Sequence, residues 1–364
     1  MAGKWASNEL VELCADRLRD MQDMGMGRRR IARSIEETSE RECTEGVVAI
    51  ALAKLGLHAP RKGIARVTIV DEEPIDNIEM PIDELIDTRV KAAERKYAKT
   101  RLHRRTLEFP AEPFGIVVHG DPHLDSEGAD LSLVKKNVLL VQQTEGMFGA
   151  CVGDELDLWV GRLAVNYADA SILASDGWRL SEWFLKAHNT DDEKKFLALV
   201  SGNHDAWANS PGLDPLANLA KKHVHIYAPD ELRITFVFKD RPDIEPIIWI
   251  MRHDFKGRSY FHSTHGPHRE AIFDGKAHLL TAGHIHQWGE LTTEQRHGRV
   301  TSAIRVRGYK RCDDYAMKLG FPEQEHGCAA CIIINPLVEG PGRIMVFWDI
   351  EHGCEFLSMM RARG

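Results

Sequence analysis

The chain has no apolar run long enough to span a bilayer, and its opening residues, Met1 to Asn8, contain no apolar segment of the kind that directs secretion. Both absences argue against a membrane partner and predict a cytoplasmic protein. Paired cysteines are missing too: seven at irregular spacing do not make a disulfide framework. Cys328-Ala329-Ala330-Cys331 has no second such pair and runs into Ile332-Ile333-Ile334, which favours core thiols over a zinc knuckle. There is no basic excess either. A net charge of −8 argues against a protein that holds nucleic acid through its global field, although local basic stretches remain able to do so. Internal repeats and low-complexity segments are likewise lacking. What remains is a globular chain of 364 residues, 43% apolar and 28% charged, long enough for two domains.

Residues 1–57 read as three short helices. Leu10, Leu13, Leu18 and Met21 fall near helical spacing until Gly25-Met26-Gly27 breaks the pattern. A second helix starts at Arg28-Arg29-Arg30-Ile31-Ala32-Arg33. The third has Thr44 as its N-cap and Val47, Val48, Ala51, Leu52 and Leu55 on its apolar side, and it ends at Gly56. This is a small all-α, helix-turn-helix-like module, with Arg28, Arg29, Arg30 and Arg33 as candidate DNA contacts. A base-reading helix usually turns Arg, Asn, Gln or Ser outward, whereas the third helix offers Thr44, Glu45 and Lys54. A three-helix protein-contact module is therefore the alternative. Residues 58–111 form a linker, interrupted by Pro60, Pro74 and Pro81 with acidic Asp71-Glu72-Glu73, and then a helix from Ile82 to about Arg105. The basic half of that helix (Arg89, Lys91, Arg95, Lys96, Lys99, Arg101, Arg104, Arg105) is either a solvated face or a phosphate contact.

Over residues 112–364 the texture changes to alternating strands and helices. Strands are expected at 115–119, 147–152, 196–200, 233–238, 247–251, 278–282, 330–335 and 344–348. Helices are expected at 129–145, around 158–173, and at 178–188. An α/β sandwich with mixed sheets follows, its functional loops at strand ends.

Five motifs sit at those ends. Asp121 and His123 follow the first strand, Gly153-Asp154-Glu155-Leu156-Asp157 the second, and Gly202-Asn203-His204-Asp205 the third. His253 follows the run 247–251, and Gly283-His284-Ile285-His286 follows 278–282. Strand ends on one sheet edge converge, so imidazoles, carboxylates and one amide oxygen can meet there. Mixed N/O ligands suit Mn²⁺, Fe or Zn²⁺ better than Ca²⁺. A shared carboxylate can bridge two ions about 3.5–4 Å apart, the spacing that clamps a phosphoryl group.

In type and order these motifs resemble the calcineurin-like metallophosphoesterase superfamily, over about residues 112–350. The resemblance implies an αββα sandwich binding two divalent ions, Mn²⁺ first, with Fe or Zn²⁺ as alternatives. It implies Asp121, His123 and His286 on one ion, Asp154 as the bridge, and Asn203, His253 and His284 on the other. His204 would lie just outside the metals as the catalytic group, oriented by Asp205. His253 is preferred to His262, His265 and His268 because it directly follows a strand.

Protein Ser/Thr phosphatases of that superfamily carry an Arg after the second Asp of the second motif and a Glu in the third. Here Leu158 and Asp205 stand instead. The stretches 144–147, 159–163, 252–255, 265–267, 308–310 and 313–316 are similar to phage and prophage metallophosphoesterases labelled exonucleases, which would place the chain in a host cytoplasm. The function expected is a binuclear phosphodiesterase acting on DNA, with a hydroxide shared by the ions as nucleophile. The alternatives are a small-molecule phosphodiesterase or phosphatase with an assembly module, and a non-enzymatic DNA-binding protein. DNA is the expected partner, and homo-oligomerisation is left open.

Overall fold

The computed structural model describes residues 3–57, 80–101, 103–159, 164, 172–209, 213–239, 241–259, 261–295, 298–311 and 324–363. Most of the expected linker, most of the expected helix around 158–173 and the stretch 313–316 lie outside them. The chain divides into two compact units, Met1–Glu84 and Leu85–Gly364.

The first unit is built on α1 (Ser7–Asp23), α2 (Arg28–Ser39) and α3 (Glu45–Lys54). Gly25, at φ 71°, adopts the left-handed turn that ends α1, and the Thr44 hydroxyl accepts from Val47 N at 3.4 Å to cap α3. The core comprises Leu10, Leu18, Met21, Ile31, Ile35, Val48 and Leu52, with Trp5 closing one side. Leu13, expected inside, is exposed; α1 departs from helical geometry at Cys14, which turns that position outward. Arg41 stacks over the Trp5 ring at 4.2 Å and forks onto Glu9 at 2.7 and 2.8 Å.

The division between the units falls within α4 (Ile82–Arg101), whose residues 82–91 are exposed. The expected basic helix stops at Arg101. Arg104 and Arg105 lie instead in an edge strand, β1 (Arg104–Phe109), which runs parallel to β6 (Glu231–Phe238). The first sheet contains β2 (Phe114–His119), β3 (Met147–Cys151), β4 (Phe196–Val200), β5 (Ile226–Ala228), β11 (Ala329–Ile334) and β12 (Ile344–Phe347), in the order β12-β11-β2-β3-β4-β5. Its central run β2-β3-β4-β5 is parallel, and β2 and β4 are buried on both faces, as apolar runs of that kind require. The second sheet adds β7 (Ile247–Arg252), β8 (Leu279–Ala282), β9 (Gly289–Glu294) and β10 (Val300–Arg305), in the order β1-β6-β7-β8-β10-β9.

The two sheets face each other across a core that includes Ile116, Val118, Val200, Phe236, Trp249 and Ile332. Helices α5 (Leu131–Gln143), α6 (Ala174–Ala187), α8 (Pro215–His223) and α10 (Ile350–Ala362) cover the outside of the first sheet through Val134, Val138, Phe184, Leu216 and Leu357. Helix α9 (His265–Asp274) covers the second through Ala271. The layers run helix–sheet–sheet–helix, the αββα sandwich expected. Cys328 and Cys331 are buried in the core, as expected. Among the described residues no helix is long and apolar enough to cross a membrane.

Candidate metal centre

Each of the five motifs leaves the C-terminal end of a strand: Asp121 and His123 after β2, Asp154 after β3, Asn203 after β4, His253 after β7, and His284 and His286 after β8. Parallel neighbours end on one edge, so both sheets deliver side chains to the same place. Ligand atoms of Asp121, His123 and His286 lie within 4.8 Å of one another, and so do those of Asp154, His253 and His284. Asn203 joins the second group, its Oδ1 being 3.1 Å from His253 Nε2. His262, His265 and His268 do not enter a cluster among the described residues.

The backbone is bent to make this happen. His123, Asp154, His284 and His286 all have positive φ, between 43° and 72°, a region that side chains other than glycine rarely occupy. Glycines leave the room these turns need. A Cβ on Gly202 would lie 2.0 Å from Asp154 Oδ1, and one on Gly283 would lie 2.3 Å from Asp121 Oδ1.

The polar atoms fit a cation. His253 Nδ1 donates to Val152 O at 2.8 Å, so in the neutral ring Nε2 carries a lone pair. That lone pair faces Asn203 Oδ1, Asp154 Oδ2 and His284 Nδ1, each 3.1 Å away. Arg258 Nη2, 3.1 Å from His284 Nε2, donates there, so the neutral His284 ring carries its proton on Nδ1; the acceptors of His253, Asn203 and Asp154 still face one another, and a positive charge among them relieves their repulsion. Without an ion a proton takes that part: burial opposes charge on His253, but Asp154 and Asp121 outweigh it and carry the pKa to about 10. In the other cluster His123 Nε2 and His286 Nε2 face each other at 3.2 Å, and His286 Nε2 is 3.2 Å from Asp121 Oδ2. Burial, reinforced by Lys310, lowers the His123 pKa to about 4 and keeps that ring a neutral donor of electrons. Asp121 Oδ1 is buried with no hydrogen-bond partner among the described residues, which a metal would satisfy.

The third motif departs from expectation in one respect. The Asp205 carboxylate does not hold His204. It accepts from the backbone amides of Asp154 (2.8 Å), Glu155 (3.0 Å) and Gly202 (2.8 Å), tying the second motif to the third. Burial and then the nearby Asp154 raise its pKa to about 7, and Glu155 beside it is pushed well above its ordinary value by burial and by Asp205. His204 is held by Asp157 instead: Nδ1 donates to the Asp157 carbonyl oxygen at 2.5 Å, leaving Nε2 available. The His204 ring packs between Trp207, 4.2 Å away, and Trp159, 5.2 Å away.

Several supporting groups escape a reading of the sequence. The Asp157 carboxylate lies 2.9 Å from His123 Nδ1 and accepts from Lys310 Nζ at 2.6 Å. Its place in the second motif and the Gly308-Tyr309-Lys310 stretch were the available signals. Arg305, fully buried, donates to Ser263 O, Gly283 O and Asp254, fixing the loops that carry His253 and His284. Beneath the centre a neutral relay runs from Asn137 Nδ2 to the Tyr309 hydroxyl (2.9 Å), on to His119 Nδ1 (2.7 Å), and from His119 Nε2 to His188 Nε2 (2.9 Å). It ends with His188 Nδ1 donating to Phe184 O at 2.7 Å. Tyr309 N also donates to Asp121 O at 3.0 Å, so the relay braces the first motif.

Arg28, Arg29, Arg30 and Arg33 lie on α2 in the first unit and are exposed, and Arg29 pairs loosely with Glu45 at 3.7 Å. The outward positions of α3 are Glu45, Gly46, Ile50, Ala53 and Lys54, a face with little base-reading chemistry.

No known family profile matches the chain, and no curated protein matches it. Solved structures with a similar course exist at low identity. A conserved uncharacterized protein from Streptococcus pneumoniae TIGR4, described as a predicted phosphoesterase, is 13% identical over 65% of this chain and 97% of its own, with a TM-score of 0.30. The calcineurin-like phosphoesterase YfkN from Bacillus subtilis is 10% identical over 69% of this chain and 97% of that one, with a TM-score of 0.33. Vacuolar Protein Sorting 29 from Cryptosporidium parvum is 9% identical over 65% and 96%, at 0.34. Likeness at this level says nothing of substrate.

Proposed function

We propose that the chain is a hydrolase of phosphoric esters dependent on two divalent ions, and that its substrate is the phosphodiester of DNA. One observation carries the reading: metal-ligating side chains from five strand ends converge in two adjoining clusters whose acceptors a cation would reconcile. Asp121, His123 and His286 would hold one ion; Asn203, His253 and His284 the other; Asp154 would lie between them. Mn²⁺ suits the mixed N/O set, with Fe or Zn²⁺ next. Such ions, when bound, neutralise phosphoryl oxygens and acidify water.

The protein's own part is positioning and proton transfer. Asp205 clamps the Gly202 and Asp154 loops through backbone amides, Arg305 clamps those of His253 and His284, and Asp157 sets the ring of His123. His204, locked through Nδ1, presents Nε2 to a leaving oxygen; in its doubly protonated form it gives the Nε2 proton to that oxygen and returns to the neutral ring, an effect typically worth about 10²–10⁴-fold. DNA is favoured over a small diester by the exposed arginines on α2, placed in its first turns where the helix dipole already repels cations. They suit phosphate contacts, which position a duplex without reading it.

The test is a Mn²⁺ activity panel of single- and double-stranded DNA, RNA, cyclic nucleotides and bis-p-nitrophenyl phosphate, with Asp154→Asn as the inactive control. Cleavage of DNA well above the cyclic nucleotides supports the reading. Turnover confined to small esters rejects the DNA assignment, and full activity in Asp154→Asn rejects the centre.

A further inference from the structure

A second polar site lies at the opposite pole of the sandwich. There, just before the first residues of β7, β8, β10 and β12, Glu245, His278, Arg299 and Arg343 line a cavity of about 250 Å³. His278 and the candidate ligand His284 flank the same strand, which separates cavity and metal centre by roughly 15–20 Å of strand rise.

The cavity is rich in donors, only some of which are met: Arg343 donates through Nη2 to Glu245 O and through Nη1 to the Glu245 carboxylate at 3.5 Å, and Arg299 Nη1 donates to Gly275 O. His278 is 5% exposed and Arg343 8%. Ile248 N donates to His278 Nδ1 at 3.1 Å, which puts the ring proton on Nε2. That Nε2, with Arg343 Nε and Arg299 Nε, is buried and has no hydrogen-bond partner among the described residues. Leaving one such donor unmet is unfavourable, and three on residues that line a single cavity leave this pole short of acceptors.

The group now nearest is the Glu245 carboxylate, 3.5 Å from Arg299 Nη2, 3.5 Å from Arg343 Nη1 and 3.6 Å from His278 Nε2. Charge-assisted hydrogen bonds close to about 2.7–2.9 Å, so none of these contacts is fully made. The Glu245 side chain is 59% exposed and can swing into solvent. The exposed Glu339 also lines the cavity, so the two arginines are balanced by two carboxylates while Glu245 stays in place. An anion with oxygens in several directions would satisfy the three donors better than one carboxylate can, provided Glu245 leaves.

We propose that this cavity is a second anion site, which takes a phosphate-type oxyanion, either free phosphate or the terminal phosphate of a nucleotide. His278, Arg299 and Arg343 hold it, and Glu245 is the gate it displaces. The proposal does not rest on the metal-centre reading.

The test uses the full-length chain after chelation, titrated with inorganic phosphate, sulfate and a nucleoside monophosphate, and followed by calorimetry and thermal unfolding. Saturable phosphate binding is expected that raises the melting temperature, survives in Asp154→Asn and disappears in Arg299→Gln. Glu245→Gln, which removes the competing carboxylate without touching a donor, should tighten binding several-fold. Binding of the nucleotide alone would assign a nucleotide phosphate, and equal binding of both would assign free phosphate. No saturable binding in wild type and in Glu245→Gln overturns the site. So does binding that Arg299→Gln leaves intact, or that Asp154→Asn alone abolishes.

Discussion

Asp157 holds two histidines with two different groups: its carbonyl oxygen accepts from His204 Nδ1, and its carboxylate lies 2.9 Å from His123 Nδ1. A single residue therefore aligns a candidate ligand through its side chain and a candidate acid through its backbone. Substitution can reach only the first of these, which makes the two roles separable.

Asp157→Asn should weaken metal binding while His204 keeps its acceptor. Loss of a carboxylate behind a ligating imidazole typically lowers metal affinity about 10–100-fold. Metal titration followed by elemental analysis measures it. Unchanged affinity would show that Lys310 or another group orients His123.

His204→Ala should retain its metal yet lose most turnover on diesters with poor leaving groups. The loss should shrink for p-nitrophenolate esters, whose departure needs little protonation. Equal losses on both classes would make His204 a positioning residue, and wild-type rates on both would remove it from the chemistry.

Asp205→Ala should destabilise the fold itself, because three buried backbone amides lose their acceptor. A deficit of about 2–3 kcal/mol in urea unfolding, present in chelator, is expected from unmet buried donors. A variant as stable as the parent would show that water replaces the carboxylate.

The α2 arginines should appear in the salt dependence of DNA binding. Each phosphate contact contributes about 0.9 to the slope of log K against log salt on duplex DNA. Replacing Arg28, Arg30 and Arg33 by Gln should flatten that slope while leaving hydrolysis of bis-p-nitrophenyl phosphate intact. Deleting residues 1–57 should do the same. A slope that neither change alters would leave the first unit a protein-contact module.

Acid should destabilise the second unit through His188. Burial lowers its pKa from 6.5 to about 4, so on acidification the unfolded chain takes up the proton first. The stability that depends on the neutral ring is complete above about pH 6.5 and is lost towards pH 4, about 3 kcal/mol over that window. Urea midpoints measured across the range should show the decline, and His188→Gln should flatten it. An identical profile in that variant would assign the acid sensitivity elsewhere.

Much of this was legible in the sequence because each motif directly follows a short apolar run, and a buried parallel strand delivers what comes after it to one edge. The error at Asp205 has a simple origin. Asn203–Trp207 form one helical turn, α7, in which successive side chains point about 100° apart, so neighbours in sequence face different partners. The hold of Asp157 on His204 leaves no mark in the sequence because the acceptor is a carbonyl, which every residue possesses. Arg104 and Arg105, the start of β1, fall within the expected helix because they continue the basic run of α4, and their pairing with β6 comes from far along the chain. The cavity at the far pole draws one residue from the approach to each of four strands, a pattern without spacing in sequence.

Asp121, Asp154 and Asn203 come from the first sheet and His253, His284 and His286 from the second. Ions held there would act as a clasp across one end of the sandwich, reinforcing the hydrogen bonds of His253 to Val152 and of His284 to Asp121 that already join two layers whose shared core is apolar. Metal affinity then becomes a gauge of how the layers are aligned. A change deep in their shared core, such as Phe236→Leu, touches no ligand, yet it should alter the affinity by tilting one sheet on the other. In the other direction, loading the centre should slow hydrogen exchange in β7 and β2 together, strands that belong to different sheets.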